Sequence, residues 1–495
     1  MSDEREDLTW SELDRRANSL AAALVQAGVN RRDVIALRMT TRIEWVVTQA
    51  ALGKLGAIAV GVNWRATPSE LEFILTNSGA VGIVCDDRDP AALLPTLSAV
   101  GLKVMVSVET LSAGTLSYRE MTSSSTAPGL CSAEDTPLII YTSGTTGAPK
   151  GVLLGRPPGA PPPTPADLKY AASVGNAIPK SPDDVVLVNM PISHGSAPAQ
   201  IRAAIHSGAR TVLRGKFEPE GVVQTISGEG VTAWVAVPTM LNRLSTISPE
   251  ALHSCDLSSL RSIQVGGAPV SSSTRTWVVE HFGPILHEGY GCTEAGMLTH
   301  LTPEDLARKS GSCGRPYACV DIDIRNEDGK PLPIGDTGEI WVRTPVVRNY
   351  YNAPPHGPDT VDSLGFYRTG DVGRLDAEGF LFITDRIKDM IVSGGVNVYP
   401  AEIERVLHEH PAVHDAAVIG VPDPDFGEVG KAFVELKPGQ AATPEEILQF
   451  CKPKVAGYKL PKTLELISEL PRNPMGKVLK RQLRAPFWKD RERSV

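Results

Sequence analysis

Five short β-rich runs constrain this chain most: VIALRM (34–39), AVGIVC (80–85), VVLVNMP (185–191), VTAWVAVP (231–238) and LRSIQVGG (260–267). Each leads into a turn or a helical pattern. TWSELDRRANSLAAALVQAGV (9–29) sets Thr9 and Glu12 at capping-box spacing and puts Leu13, Ala17, Leu20 and Leu24 on one helical face. TPSELEFILTNSG (67–79) places Pro68 in its first turn, where the missing N–H costs nothing. Strands that alternate with helices need crossover connections, so the pattern predicts an α/β architecture with largely parallel sheets. Ligands of such sheets bind beyond the carboxyl ends of the strands.

One strand-like run, DTPLII (135–140), opens into YTSGTTGAPKG (141–151). Gly144, Gly147, Gly151 and Pro149 rule out regular structure there. Free backbone N–H groups, the hydroxyls of Thr142, Ser143, Thr145 and Thr146, and the cation Lys150 are groups that hold a phosphate chain. The stretch is not a Walker motif. Pro149 precedes Lys150 and Gly151 follows it, so the hydroxyl that would bind Mg²⁺ after the lysine is missing.

At 495 residues the chain is too long for one core. A net charge of −8 offers no basis for binding nucleic acid or an anionic membrane. No apolar run is long enough to span a bilayer, and MSDEREDLTW has acids where a signal peptide needs basic then apolar residues. The chain reads as cytoplasmic. Its seven cysteines contain no C-x-x-C pair, which argues against a zinc site or disulfide framework. Cys292 reads as a small filler rather than a nucleophile.

GRPPGAPPPTPADL (155–168) is dense in proline and predicts a polyproline-like or mobile loop, a tolerated surface insertion. Strand character weakens over 350–365. A new unit follows Lys388, with helix then strand in YPAEIERVLHEHPAVHDAAVIGV (399–421), a helix in TPEEILQFCKPKV (443–455) and a strand in TLELISEL (463–470). The expected fold is a large N-terminal α/β domain of parallel or mixed sheets with flanking helices, 1–387, and a small mobile C-terminal α+β domain, 388–495. No internal repeats are evident.

Further glycine-rich polar islands occur in order: VGGAP (265–269), EGYGCTEAG (288–296), YRTGD (367–371), DRIKD (385–389) and PRNPMGK (471–477). Singly each is an ordinary turn. Together with YTSGTTGAPKG, and over nearly the whole chain, they resemble the adenylate-forming superfamily, and most closely its acyl-CoA synthetases. The resemblance implies a two-step reaction. A carboxylate attacks the α-phosphate of ATP to give an acyl-adenylate and pyrophosphate, and the thiol of coenzyme A then displaces AMP. ATP, Mg²⁺, coenzyme A and a small carboxylic acid are the implied ligands, in a monomer or homodimer.

By the same resemblance, Thr142, Ser143, Gly144, Thr145, Thr146, Gly147 and Lys150 cradle the β- and γ-phosphates. Gly266, Gly267, Ala268 and Pro269 line the adenine with Tyr290 against its face, and Glu288, Gly289 and Gly291 belong to the same AMP site. Thr293 bonds the α-phosphate, and Glu294 with Thr145 holds Mg²⁺. Asp371 accepts from the ribose hydroxyls beside Arg386. Lys477 bridges carboxylate and phosphate in the first step. Lys388 is the hinge about which the small domain swings, and Ser393, Gly394 and Gly395 face the pantetheine. His194 joins the catalytic set and the acyl pocket.

The sequence also departs from the family. PISHGSA (191–197) has Ser193 where an aromatic residue usually precedes the histidine, and Ser196 and Ala197 are small. These changes predict a roomy acyl pocket, with Trp234 placed to fill part of it, and a bulky or polycyclic acid. The chain starts late relative to the family. Alternatives are a stand-alone enzyme that loads a carrier protein, a luciferase-like oxygenase, or a non-catalytic nucleotide-binding relative.

Overall fold

The structure is a computed structural model that describes residues 1–123, 137–142, 149–156, 159–394, 396–473 and 476–489. These form four sheets. In the first, strands run side by side in the order Leu116–Ser117, Val104–Ser107, Ala80–Cys85, Val34–Arg38, Ile58–Val62, Leu138–Thr142 and Lys150–Leu154. Only the last pairing is antiparallel. The second runs Arg315–Pro316, Gly296–Leu301, Leu286–Cys292, Ser262–Gly266, Ala233–Ala236, Val185–Val188 and Arg210–Leu213. It too is parallel in its interior and ends in an antiparallel hairpin.

The strands are buried end to end, as in Val34–Arg38 and Ile58–Val62, because helices cover both faces. The largest core, which includes Trp45, Trp234 and Phe380, is continuous across both sheets. A third, antiparallel sheet (Asp321–Arg325, Gly338–Arg343, Tyr367–Leu375, Leu381–Arg386) follows. The C-terminal sheet then has its own core around Ile403, Val418 and Val434.

The helix Pro68–Ser78 forms with its full capping box, Thr67 with Glu70. At the first helix, Trp10–Gln26, the expected box is only half made. Thr9 Oγ1 accepts from Glu12 N–H, but the Glu12 carboxylate turns away to Arg15 and Arg16. Two guanidiniums outweigh one backbone N–H for a carboxylate on the surface.

The end of the proline-rich stretch is also corrected. Residues 165–168 are the first turn of a helix, Pro165–Ala177, with Thr164 and Asp167 as a reciprocal cap. Proline at the first helical position suits the turn it was expected to forbid. No helix among the described residues is long and apolar enough to cross a membrane.

Candidate active site

The two large sheets each end in a hairpin, and these hairpins face one another through one tyrosine. In the first, Thr142 pairs with Lys150 across the strands that flank the glycine-rich loop. Ser143, Gly144, Thr145, Thr146 and Gly147 lie outside the described residues. The Lys150 ammonium sits 4.6 Å over the Tyr350 ring. Tyr350 O–H donates to Glu294 Oε1 at 3.2 Å, on the hairpin of the second sheet. A lysine from one loop and a carboxylate from the other thus share a single aromatic bridge. Tyr350 lay in a stretch whose strand character was weak, and only its backbone bridge to Val152 reveals why it is there.

The second hairpin is tight. Gly291 passes so close to Gly296 O that a side chain would overlap it. This turn presents Thr293 and Glu294, and Arg348 N–H fixes it by donating to Glu294 O at 2.8 Å. Tyr170, from the helix after the proline-rich stretch, braces it by donating to Met297 O at 2.9 Å. Burial pushes the Cys292 thiol up to about 12, so it is no nucleophile at neutral pH.

Gly266 and Gly289 lie opposite one another on adjacent parallel strands. A Cβ at Gly266 would lie 3.1 Å from Gly289 O and one at Gly289 2.9 Å from Met297 Cε, so the two glycines let backbone and the Met297 side chain approach closely. Gly267, with φ +86°, then turns Ala268 and Pro269 out to solvent. Beside this pair Tyr290 O–H donates to Asp371 Oδ2 at 2.7 Å, and Arg386 Nε lies 3.0 Å from Asp371 Oδ1. Asp371 is buried, yet each oxygen keeps a second lone pair for a hydroxyl donor.

Glu288 is a correction. It is buried and held bidentately by Arg275 at 2.5 and 2.8 Å, so it braces the strand rather than facing a nucleotide. Arg275 carried no signal in the sequence, being one arginine on a polar helix face.

His194 closes a turn by donating its N–H to Pro191 O at 3.1 Å. The turn packs closely against the first sheet. A Cβ at Gly61 would lie 3.1 Å from Ser193 O, and one at Gly195 2.9 Å from Leu154 Cδ1. Burial lowers the His194 imidazole to about 4, so it is neutral at physiological pH. Ser196 is exposed at the start of the helix Ser196–Ser207. One turn on, Gln200 Nε2 donates to Gln264 Oε1 at 3.1 Å. Ala197 and Trp234, both expected to line acyl space, lie instead in the main core at 0% and 1% exposure. The indole N–H of Trp234 donates to Asn189 Oδ1 at 3.1 Å. A strand buried on both faces gives no sequence cue to which side a residue points.

Lys477 reaches this group from the far end of the chain. It is half-buried, within electrostatic reach of Arg386, Asp371, Lys388 and Asp389, and desolvation, followed by Arg386, lowers its ammonium to about 8. Its turn is fixed by Lys477 N–H to Asn473 Oδ1 at 2.9 Å and by Arg472, which joins Gly476 O at 3.0 Å to Asp415 at 2.6 Å. Gly476, with φ +75°, lies flush on Thr239 of the large domain, where any side chain would overlap.

Lys388 lies in a short 3₁₀ turn, Ile387–Asp389, between the third and fourth sheets. Ser393 pairs with Gly427 within the C-terminal sheet, and Gly394, with φ +56°, is exposed against Phe426. Gly395 lies outside the described residues.

The sequence pattern of the AMP-binding enzyme family matches residues 1–351, and that of its C-terminal domain matches residues 402–477. The chain belongs to this family, within the adenylate-forming superfamily. It is 35% identical to a feruloyl-CoA synthase of Amycolatopsis, over 97% of this chain and 94% of that one. Among solved structures it resembles ATP-bound MatB from Rhodopseudomonas palustris, with TM-score 0.85 and 29% identity over 98% and 95% of the two chains. It equally resembles the amide bond synthetase McbA from Marinactinospora thermotolerans, with TM-score 0.85 and 28% identity over 98% and 96%. The chain is an AMP-forming acid–thiol ligase that works with ATP, Mg²⁺ and coenzyme A.

The residues present suit the cation. Among the described residues Glu294 commits one oxygen to a neutral phenol and keeps the other, a hard ligand of the kind Mg²⁺ takes alongside phosphate oxygens. Among the described residues no cluster of three acidic, histidine or cysteine ligands exists. Thr145, expected beside Glu294, lies outside the described residues.

Proposed function

We propose that this ligase activates a bulky or polycyclic carboxylic acid as its acyl-adenylate and transfers it to coenzyme A, with its small domain turning about Lys388 between the steps. The observation that carries this reading is Lys477, delivered by the small domain into the group formed by Asp371, Arg386 and Tyr290. A carboxylate and a triphosphate repel, and a desolvated cation between them offsets that repulsion as charge concentrates in the transition state.

The carboxylate oxygen bonds to the α-phosphorus and pyrophosphate leaves. Thr293 and Lys477 hold the phosphate oxygens, while Asp371 and Tyr290 orient the nucleoside. Glu294 would hold Mg²⁺, which would supply charge neutralisation along the phosphates. In the second step the thiol sulfur bonds to the acyl carbon, AMP leaves and the thiol proton passes to solvent. Lys477 has no part in that step. Ser393 and Gly394 line the path of the pantetheine arm once the domain has turned.

The acid's size is read from small residues around His194. Ser193, in the turn before the helix, and Ser196, at its first position, add no bulk around His194, and the neutral His194 suits an uncharged acyl body. A second reading, transfer to an amine, is favoured by the likeness to McbA.

The test is ATP-dependent pyrophosphate release across acids from short fatty acids through benzoates to polycyclic acids, with coenzyme A, a carrier protein or an amine as acceptor. The reading expects release with bulky acids and a CoA thioester by mass spectrometry. Release followed only by amide or carrier adducts overturns the acceptor. Ser196→Phe is expected to raise KM for the preferred acid; an unchanged KM removes this stretch from the pocket.

A further inference from the structure

Asp385 occupies the penultimate position of the strand Leu381–Arg386, just before the turn that contains Lys388, and is 7% exposed. Its Oδ2 accepts the N–H of Ala401 at 2.8 Å, and its Oδ1 accepts the N–H of Arg386 at 2.7 Å. Ala401 lies in the first turn of the helix Pro400–Leu407, whose own N-cap residue, Tyr399, makes no side-chain bond. Pro400 has no N–H to give. The cap of this small-domain helix therefore comes from the large domain, on the other side of Lys388. A carboxylate there is favoured by the helix dipole. Burial lifts the Asp385 carboxyl to about 6 against the pull of Lys480, which leaves it ionised at neutral pH.

The capped helix is tied to the turn that bears Lys477. Glu404, on that helix, accepts from Lys480 Nζ at 2.7 Å and from Val418 N–H at 2.7 Å. Arg484, one turn beyond Lys480, lies 3.0 Å from Asp389. Lys480 is three residues past Lys477. These ties join residues that all follow Lys388, so they travel together. The Asp385–Ala401 bond crosses Lys388, as does the contact of Gly476 with Thr239. A turn of the small domain about Lys388 must break both.

We propose that Asp385 is a positioning residue that latches the small domain in the orientation presenting Lys477, and so serves adenylate formation and not thioester formation. This rests on the two-orientation reading above. Asp385 acts through the helix Pro400–Leu407, whose first turn it caps.

Two variants remove the same bond from opposite sides. Asp385→Ala deletes the acceptor. Ala401→Pro deletes the donor at the second position of the helix, with circular dichroism to check that the helix is kept. Each is expected to slow pyrophosphate release about tenfold, the weight of one charge-assisted hydrogen bond, and to leave thioester formation from supplied acyl-adenylate unchanged. The double variant should be no slower than either single one, and Asp385→Asn, which keeps an acceptor, should recover most of the rate.

A second readout needs no turnover. Tryptic cleavage after Lys388 should be several-fold faster in both single variants than in the parent chain. Equal slowing of both half-reactions, or unchanged cleavage in both variants, overturns the latch. A parent chain that releases no pyrophosphate with any acid refutes the ligase reading instead, and the cleavage rates still decide the latch.

Discussion

Asp371 and Lys477 converge on one space, but different kinds of structure hold them there. Asp371 is carried on a strand interior and clasped by Tyr290 and Arg386, both from the large domain. Next to Tyr290, Gly289 faces Gly266 on the adjacent strand in close backbone packing. Lys477 is carried on a single turn that is tied to its own domain through Asn473 and Arg472, and which meets the large domain at a glycine contact on Thr239. On the proposed two-orientation reading, the first side stays in place and the second is anchored to a domain that turns away. That reading assigns nucleotide recognition, needed through both steps, to the fixed side, and charge stabilisation, needed in one step, to the removable side.

The comparison breaks most severely on the fixed side. Arg275→Met leaves the buried Glu288 carboxylate unpaired next to Gly289 and Tyr290, at a cost of about 3–5 kcal/mol. Chemical denaturation followed by the large domain's tryptophan fluorescence should register the loss, and both half-reactions should decline together.

Gly476→Ala acts on the removable side. It forces a left-handed φ on a residue with a Cβ and overlaps Thr239, so adenylation should fall about tenfold, with folding stability changed by no more than about 1–2 kcal/mol. Adding Thr239→Ala should recover the part due to overlap and none of the part due to backbone strain. A uniform loss in both half-reactions would mean that the turn does not leave.

A smaller effect concerns pH. The Lys477 ammonium sits at about 8 before substrates bind, so the required cation is fully present below that pH and is lost above it. The kcat/KM for pyrophosphate release, which reports the free enzyme, should be flat through neutrality and fall as pH rises past about 8. Lys477→Arg should flatten that limb.

The strand runs, the helices between them and the order of the glycine islands were legible in the sequence, because periodicity and turn chemistry are local. Thr67 with Glu70 forms its box because no competitor is near, whereas Glu12 is drawn off by Arg15 and Arg16, whose reach the spacing alone does not weigh. Asp371, Arg386 and Lys477 were legible only as parts of a shared pattern. The residues that hold them were not. Arg275, Tyr350, Tyr170 and Asp385 act across 13, 56, 127 and 16 positions of chain, respectively. Nothing local marks them. Trp234 failed in the opposite way, since its type suggested a pocket wall and its strand buries both faces.

The most direct test of the account is Lys477→Ala with the two half-reactions measured separately. The account predicts that pyrophosphate release falls on the order of 10²- to 10³-fold while thioester formation from supplied acyl-adenylate proceeds at the parent rate. Equal loss of both would contradict it, because Lys477 would then belong to the fixed side of the site.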